Sequence, residues 1–148
     1  MGYAMRGGRI YIRGNAGYRV GIHMKEYGEK RPVIVIGGRC GSFLGEYQAG
    51  GVLMVLGLHD DGKPTVSNLP CTGMHGGKLF LRGDSHAIDF PPHVTVRAAT
   101  EEDMADMLPI LKDYCETFGL DAEKLARDPY TVVVPDTANP YKQMYVSN

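Results

Sequence analysis

Hydrophobic positions in the first half of the chain gather into four short runs: Ile10-Tyr11-Ile12, Val33-Ile34-Val35-Ile36, Val52-Leu53-Met54-Val55-Leu56 and Leu79-Phe80-Leu81. Glycine punctuates the sequence around each run. Their length and β-branched content predict strands rather than helices. The second and third runs have no polar position, which predicts strands buried on both faces. Helical periodicity is confined to the second half. There Met104, Met107, Leu108, Leu111, Tyr114, Cys115 and Phe118 recur at the spacing of one helix face. Thr100 followed by Glu101, Glu102 and Asp103 predicts an N-cap with an acidic first turn, and Gly119 predicts the stop. Pro109 is expected to kink this helix or delay its start. Asp121–Arg127 is expected to form a second short helix and Val132–Val134 a final strand. The stretch from Pro135 to Asn148 is expected to be a docked or mobile tail.

The strands come with repeating glycines. Gly14, Gly17 and Gly21 are spaced GxxGxxxG, and Gly38, Gly41 and Gly45 repeat that spacing. Pro70, Gly73 and Gly77 form a third copy with Pro at the first position. A second register also repeats: Ala4-Met-Arg-Gly-Gly-Arg-Ile-Tyr-Ile-Arg-Gly14 lies over Gly73-Met-His-Gly76-Gly77-Lys-Leu-Phe-Leu-Arg-Gly83. Ala49-Gly50-Gly51-Val-Leu-Met-Val is a looser copy between them. The strand starts at Ile10, Val33, Val52 and Leu79 imply repeats of roughly 23 residues, with His59–Pro64 as a polar insertion in the longest gap.

Repeats of this length predict parallel strands laid one on another, with glycine where corners turn sharply and pack closely. The fold expected is a single-stranded right-handed parallel β-helix of about four turns over residues 1–83. Residues 84–148 are expected to form a small α-helical C-terminal cap and tail packed on the same domain. A hairpin sandwich would favour Asn-Gly or Asp-Gly turns, and Asp61-Gly62 is the one such pair, inside the insertion.

Composition narrows the function classes. The 148 residues include 20 Gly and carry a formal net charge of −1, with no run of Lys or Arg, which argues against nucleic acid as a main partner. No apolar stretch reaches the length of a membrane span, and the N-terminus lacks a signal-peptide core. Cys40, Cys71 and Cys115 are too few and too scattered for a disulfide framework, a zinc site or an iron–sulfur cluster. A cytoplasmic location is the default expectation.

The ordered glycine motifs Gly14–Gly21, Gly38–Gly45, Gly45-Glu-Tyr-Gln-Ala-Gly50-Gly51 and Gly73-Met-His-Gly76-Gly77 resemble the GXGXG domain that ends the large subunit of glutamate synthase. That domain also occurs as stand-alone proteins and as the C subunit of formylmethanofuran dehydrogenase. The resemblance covers residues 4–83. It implies a right-handed β-helix with a structural role in an oxidoreductase of glutamate biosynthesis. It implies amidotransferase and FMN-domain polypeptides as partners, and FMN and an iron–sulfur cluster on those partners. No cofactor, metal or catalytic residue is expected on this chain, and a homo-oligomer is a further expectation. Family members often carry more sequence ahead of the first Gly-Met-x-Gly-Gly-like motif. An uncovered first repeat exposes strand edges, which makes it an interface or a hazard.

Other chemistry competes with simpler readings. GxxGxxxG runs from strand to strand and lacks the strand-to-helix setting and the terminal Gly-Lys-Ser/Thr of phosphate loops, so corner glycines are preferred. Gly83-Asp84-Ser85-His86 does not match a nucleophile elbow. An independent hydrolase or esterase using Ser85 is nevertheless kept as the alternative from a different class, beside a self-assembling structural protein. His23, His59, His75, His86 and His93 show no zinc spacing. Arg13 and Arg82 fall at equivalent repeat positions with Arg39 near a corner, and are read as solvated or stacked guanidinium groups rather than a ligand clamp.

Overall fold

The computed structural model describes residues 2–17, 19–26, 29–42, 44–58, 66, 70–83, 88 and 90–136. The chain forms β1 (Arg9–Ile12), β2 (Val33–Ile36), β3 (Ala49–Val55), β4 (Gly76–Arg82), β5 (Val94–Ala98), α1 (Glu101–Phe118), α2 (Ala122–Ala126) and β6 (Tyr130–Pro135). All four strands expected in the first half are present. They pair in parallel and in chain order, with Arg9 opposite Val33, Val33 opposite Val52, and Val52 opposite Lys78. A bulge between Ala49 and Val52 adjusts the start of β3.

The architecture corrects the expected fold class. The described residues form one open, mixed, six-stranded sheet in the order β1-β2-β3-β4-β6-β5, and not a right-handed parallel β-helix of about four turns. The parallel series stops at β4. There the apolar segment Tyr130–Pro135 joins antiparallel, Phe80 facing Val132, and β5 pairs antiparallel on its other side. The 18-residue α1 is also not a small cap on an end, because it lies across one face of the sheet.

Two apolar layers explain why β2 and β3 are apolar throughout. Ile34, Ile36, Leu53, Val55, Leu79, Leu81 and Val133 face one way, onto Val20, Met24, Cys40, Leu44, Cys71 and Met74 from the corners between strands. Val33, Val35, Val52, Met54, Phe80 and Val132 face the other way, onto Met107, Ile110, Leu111, Tyr114 and Cys115 of α1. Alternation along a strand sends neighbours to opposite faces, so a strand covered on both sides has no polar face to spare.

The helix starts and stops as its sequence predicts. Thr100 and Asp103 form a reciprocal capping box, and Gly119 closes the last turn in the left-handed conformation at φ 69°. Pro109 lies inside the helix on its exposed side and neither ends it nor delays its start. The short helix expected after Asp121 is α2, and the strand expected at Val132–Val134 is part of β6. β5 was not expected.

Candidate functional site

Three groups of residues stand out where repeats meet. The first is the glycine corners. The Gly38 N–H donates to the Gly14 carbonyl at 2.8 Å, the Gly41 N–H to Gly17 at 3.0 Å, and the Gly45 N–H to Val20 at 2.8 Å. Successive corners therefore touch backbone to backbone. A Cβ on Gly38 would come within 2.9 Å of the Gly14 carbonyl carbon, and one on Gly77 within 2.7 Å of the Gly51 oxygen. Gly50 and Gly76 are equally crowded by Glu26 and by the Ala49 backbone. Gly21 and Gly45 both turn in the left-handed region and both press toward Leu53.

Of the two registers visible in the sequence, the hydrogen bonds follow the second. The Cys71 N–H donates to Leu44 as Gly45 does to Val20, so Cys71, at φ 63°, occupies the place of Gly21 and Gly45. Gly73 then stands with Tyr47 and His23, whose N–H groups donate to Thr72 and Glu46. His75 corresponds to Arg6 as the repeat predicts, since the Lys25 and His75 N–H groups make equivalent bonds to Met5 and Gln48.

The second group is an aromatic column on these corners. His23 stacks on Tyr47 at 5.1 Å, and Tyr3 meets His23 edge-on at 5.9 Å. His23 and Tyr47 hold left-handed φ values of 56° and 57°. A Cβ on Gly73 would run into the Tyr47 ring, which explains glycine at the end of the column.

The third group is a line of ion pairs between α1 and the sheet, which sequence reasoning missed. Asp103 is 2% exposed and accepts from Lys78 at 3.1 Å, from Arg97, and from the Thr100 N–H at 2.9 Å. Asp106 takes both arms of Arg31 at 2.9 and 2.7 Å. Asp113 accepts from the Tyr11 hydroxyl at 2.6 Å and from Arg9 at 3.0 Å. Burial alone would raise the Asp103 carboxyl, yet hydrogen bonds from Arg97, Thr100 and Lys78 together hold it well below the usual carboxylate range. The Arg31 fork likewise lowers Asp106. The available signal was spacing: 103, 106 and 113 share the helix face that carries Met107, Ile110 and Tyr114.

The remaining candidates fall into place around these. Burial pushes the Cys40 and Cys71 thiols up to about 12, and both are free and inside the core. The Arg82 guanidinium donates to the Leu56 carbonyl at 3.0 Å and to Asp128 at 2.8 Å, tying β4 to its surroundings. Among the described residues no group of three or more His, Cys, Asp or Glu is placed to hold a metal ion. Among the same residues, no helix is long and apolar enough to cross a membrane. Ser85, His86, His59 and the insertion through Pro64 lie outside the described residues, as does the tail from residue 137.

Repeats joined through glycine corners define a class of sheet built by stacking copies of one unit. The sequence matches the GXGXG motif family over residues 1–137, and the chain belongs to that family as a glutamate synthase-related domain. It is 37% identical over 137 residues to an uncharacterized protein of Methanocaldococcus jannaschii, covering 88% of this chain and 52% of that protein. The chain thus spans about half the length of the curated relative it matches.

Proposed function

We propose that this chain is a structural, non-catalytic component of a glutamate synthase-like oxidoreductase, where it scaffolds amidotransferase and FMN-binding synthase polypeptides. The family match across residues 1–137 carries this reading. Two features support it. The α1 carboxylates of Asp103, Asp106 and Asp113 are each engaged in holding helix to sheet. The Cys40 and Cys71 thiols are buried and held protonated, which suits packing rather than nucleophilic or ligand chemistry. On this reading FMN and an iron–sulfur cluster belong to the partner polypeptides, and the chain supplies surface and rigidity.

Affinity capture of the full chain from its native cell extract, with mass spectrometry of what co-purifies, tests the reading. Recovery of amidotransferase or FMN-synthase polypeptides supports it. Recovery of formylmethanofuran dehydrogenase subunits moves the assignment to that complex. A clean homo-oligomer with no other polypeptide sinks it.

A further inference from the structure

Among the described residues, the first repeat differs from the later ones in having no strand paired ahead of it. Among the described strands β1 has β2 as its single neighbour and forms one edge of the sheet. The carbonyls of Gly8 and Ile12 accept from Val33 and Gly37 of the next repeat. Because backbone polar groups alternate sides along a strand, those of Arg9 and Tyr11 face outward, whereas the Arg13 carbonyl, past the end of β1, lies against Gly37 of the next repeat. β1 is accordingly part-exposed where β2 is buried at every position.

The corner that follows β1 bonds to the next repeat through the Gly14 and Gly17 carbonyls, but nothing described fills the space where their side chains would stand. Gly14 and Gly17 have no positive φ, and a Cβ on either would meet nothing within 4 Å. One repeat later, Gly38 is forced by the Gly14 backbone beneath it. Charge adds a second constraint. Residues 2–17 carry Arg6, Arg9 and Arg13 and no Asp or Glu. Arg9 is satisfied by Asp113, whereas Arg6 and Arg13 have no carboxylate partner among the described residues. At the start of β1, Arg6, Gly7, Gly8 and Lys30 line a cavity of about 500 Å³ with two cationic side chains.

We infer that the outer edge of β1 receives an extended, acidic segment of a partner polypeptide as an added strand. Its backbone bonds to Arg9 and Tyr11, it passes over Gly14 and Gly17, and its carboxylates meet Arg6, Arg13 and Lys30. Strand addition supplies affinity through main-chain bonds and selectivity through alternate side chains. Pairing with a second copy of β1 is disfavoured, because it sets Arg9 and Arg13 against their own equivalents, and like charges across strands repel. The inference deepens the scaffold reading by naming the chemistry of one contact, and it rests on that reading for the existence of a partner.

The test uses the full chain and a short fluorescent peptide of alternating Glu and Val, followed by anisotropy. Binding is expected, and methylating alternate backbone nitrogens of the peptide should weaken it by about tenfold or more, since edge pairing needs those N–H groups. The double substitution Arg6→Glu and Arg13→Glu should weaken it by a similar factor. Gly14→Leu enters open space, so its unfolding midpoint should be unchanged while its peptide affinity falls about tenfold. Hydrogen exchange should show the Arg9 and Tyr11 amides protected only with peptide bound. The proposal is overturned by failure of the Glu-Val peptide to bind, by equal binding of a Lys-Val or N-methylated peptide, or by tighter binding of a uridine homopolymer. A β1-dependent homodimer that the peptide does not dissociate also overturns it. Captured enzyme subunits with no peptide binding would leave the scaffold reading standing and remove this one. Peptide binding with no captured subunit would do the reverse.

Discussion

The first and second repeats carry the same glycines for different reasons. At Gly38 a methyl group would collide with the Gly14 backbone beneath it, and at the neighbouring Gly37, whose counterpart in the first repeat is Arg13, with the Arg13 carbonyl and the Tyr114 hydroxyl. At Gly14 a methyl group would collide with nothing. At this corner, where neither glycine has a positive φ, position in the stack decides whether glycine is required. Repetition in sequence therefore does not imply repetition in energy, and the end repeat is where the two part.

The sharpest way to break this comparison is Gly37→Ala. Its Cβ has to displace both the Arg13 carbonyl and the Tyr114 hydroxyl, which itself donates to the Ile12 carbonyl at 2.8 Å. A loss of about 3 kcal/mol or more is expected in urea unfolding, at the upper end of overpacking costs. Next comes Asp103→Asn, which leaves Lys78 and Arg97 facing a neutral amide. Both cations are part-exposed, so solvent screening reduces the expected loss to about 2 kcal/mol. The same carboxylate sets an acid limit. Its folded pKa lies below its unfolded one, so its contribution is complete above the ordinary carboxylate range and fades as pH falls through that range toward the folded value. The gap in unfolding midpoint between the Asp103→Asn variant and the natural chain should therefore be wide at neutral pH and narrower at about pH 3.

Smaller effects sharpen the comparison from the other side. Thr100→Ala removes a cap that bonds the Asp103 N–H at 3.2 Å, and should cost about 1 kcal/mol in the same unfolding assay. Gly14→Ala should lie within about 0.5 kcal/mol of the natural chain, or stabilise it slightly by restricting the unfolded state. A loss at Gly14 comparable to that at Gly37 would mean that something already covers the first corner.

Much of this was legible in the sequence. Val33–Ile36 and Val52–Val55 are strands because unbroken apolar runs of that length serve a sheet covered on both faces, and Thr100 and Gly119 bound α1 through local chemistry alone. What misled was extrapolation from the repeats. They describe residues up to Arg82 correctly as parallel strands, yet the sheet is completed by Tyr130–Pro135, a segment with no glycine motif and the opposite direction. Val94–Ala98 escaped because after the buried Val94 its side chains alternate between half-buried and exposed, leaving little apolar signal. The salt-bridged stripe was hidden for another reason. Asp103 reads as a first-turn residue, and its partners Lys78 and Arg97 come from strands whose spatial order the sequence does not state. In the glycine copies, Cys71 takes the place of Gly21 and Gly45, whereas the apparent third motif set Gly77 there, six positions further on.

The placement of β6 has a consequence for synthesis. It is the last of the described strands to leave the ribosome, yet it sits between β4 and β5 in the finished sheet. A chain elongating at about 5–20 residues per second can pair β1 through β4 in the order they emerge. β5 and α1 must then wait, with apolar faces exposed, until Tyr130–Pro135 arrives to join them. The nascent protein is most vulnerable to off-pathway association while the stretch between Ala98 and Tyr130 is being made, and a chaperone acting on it would find its binding sites there.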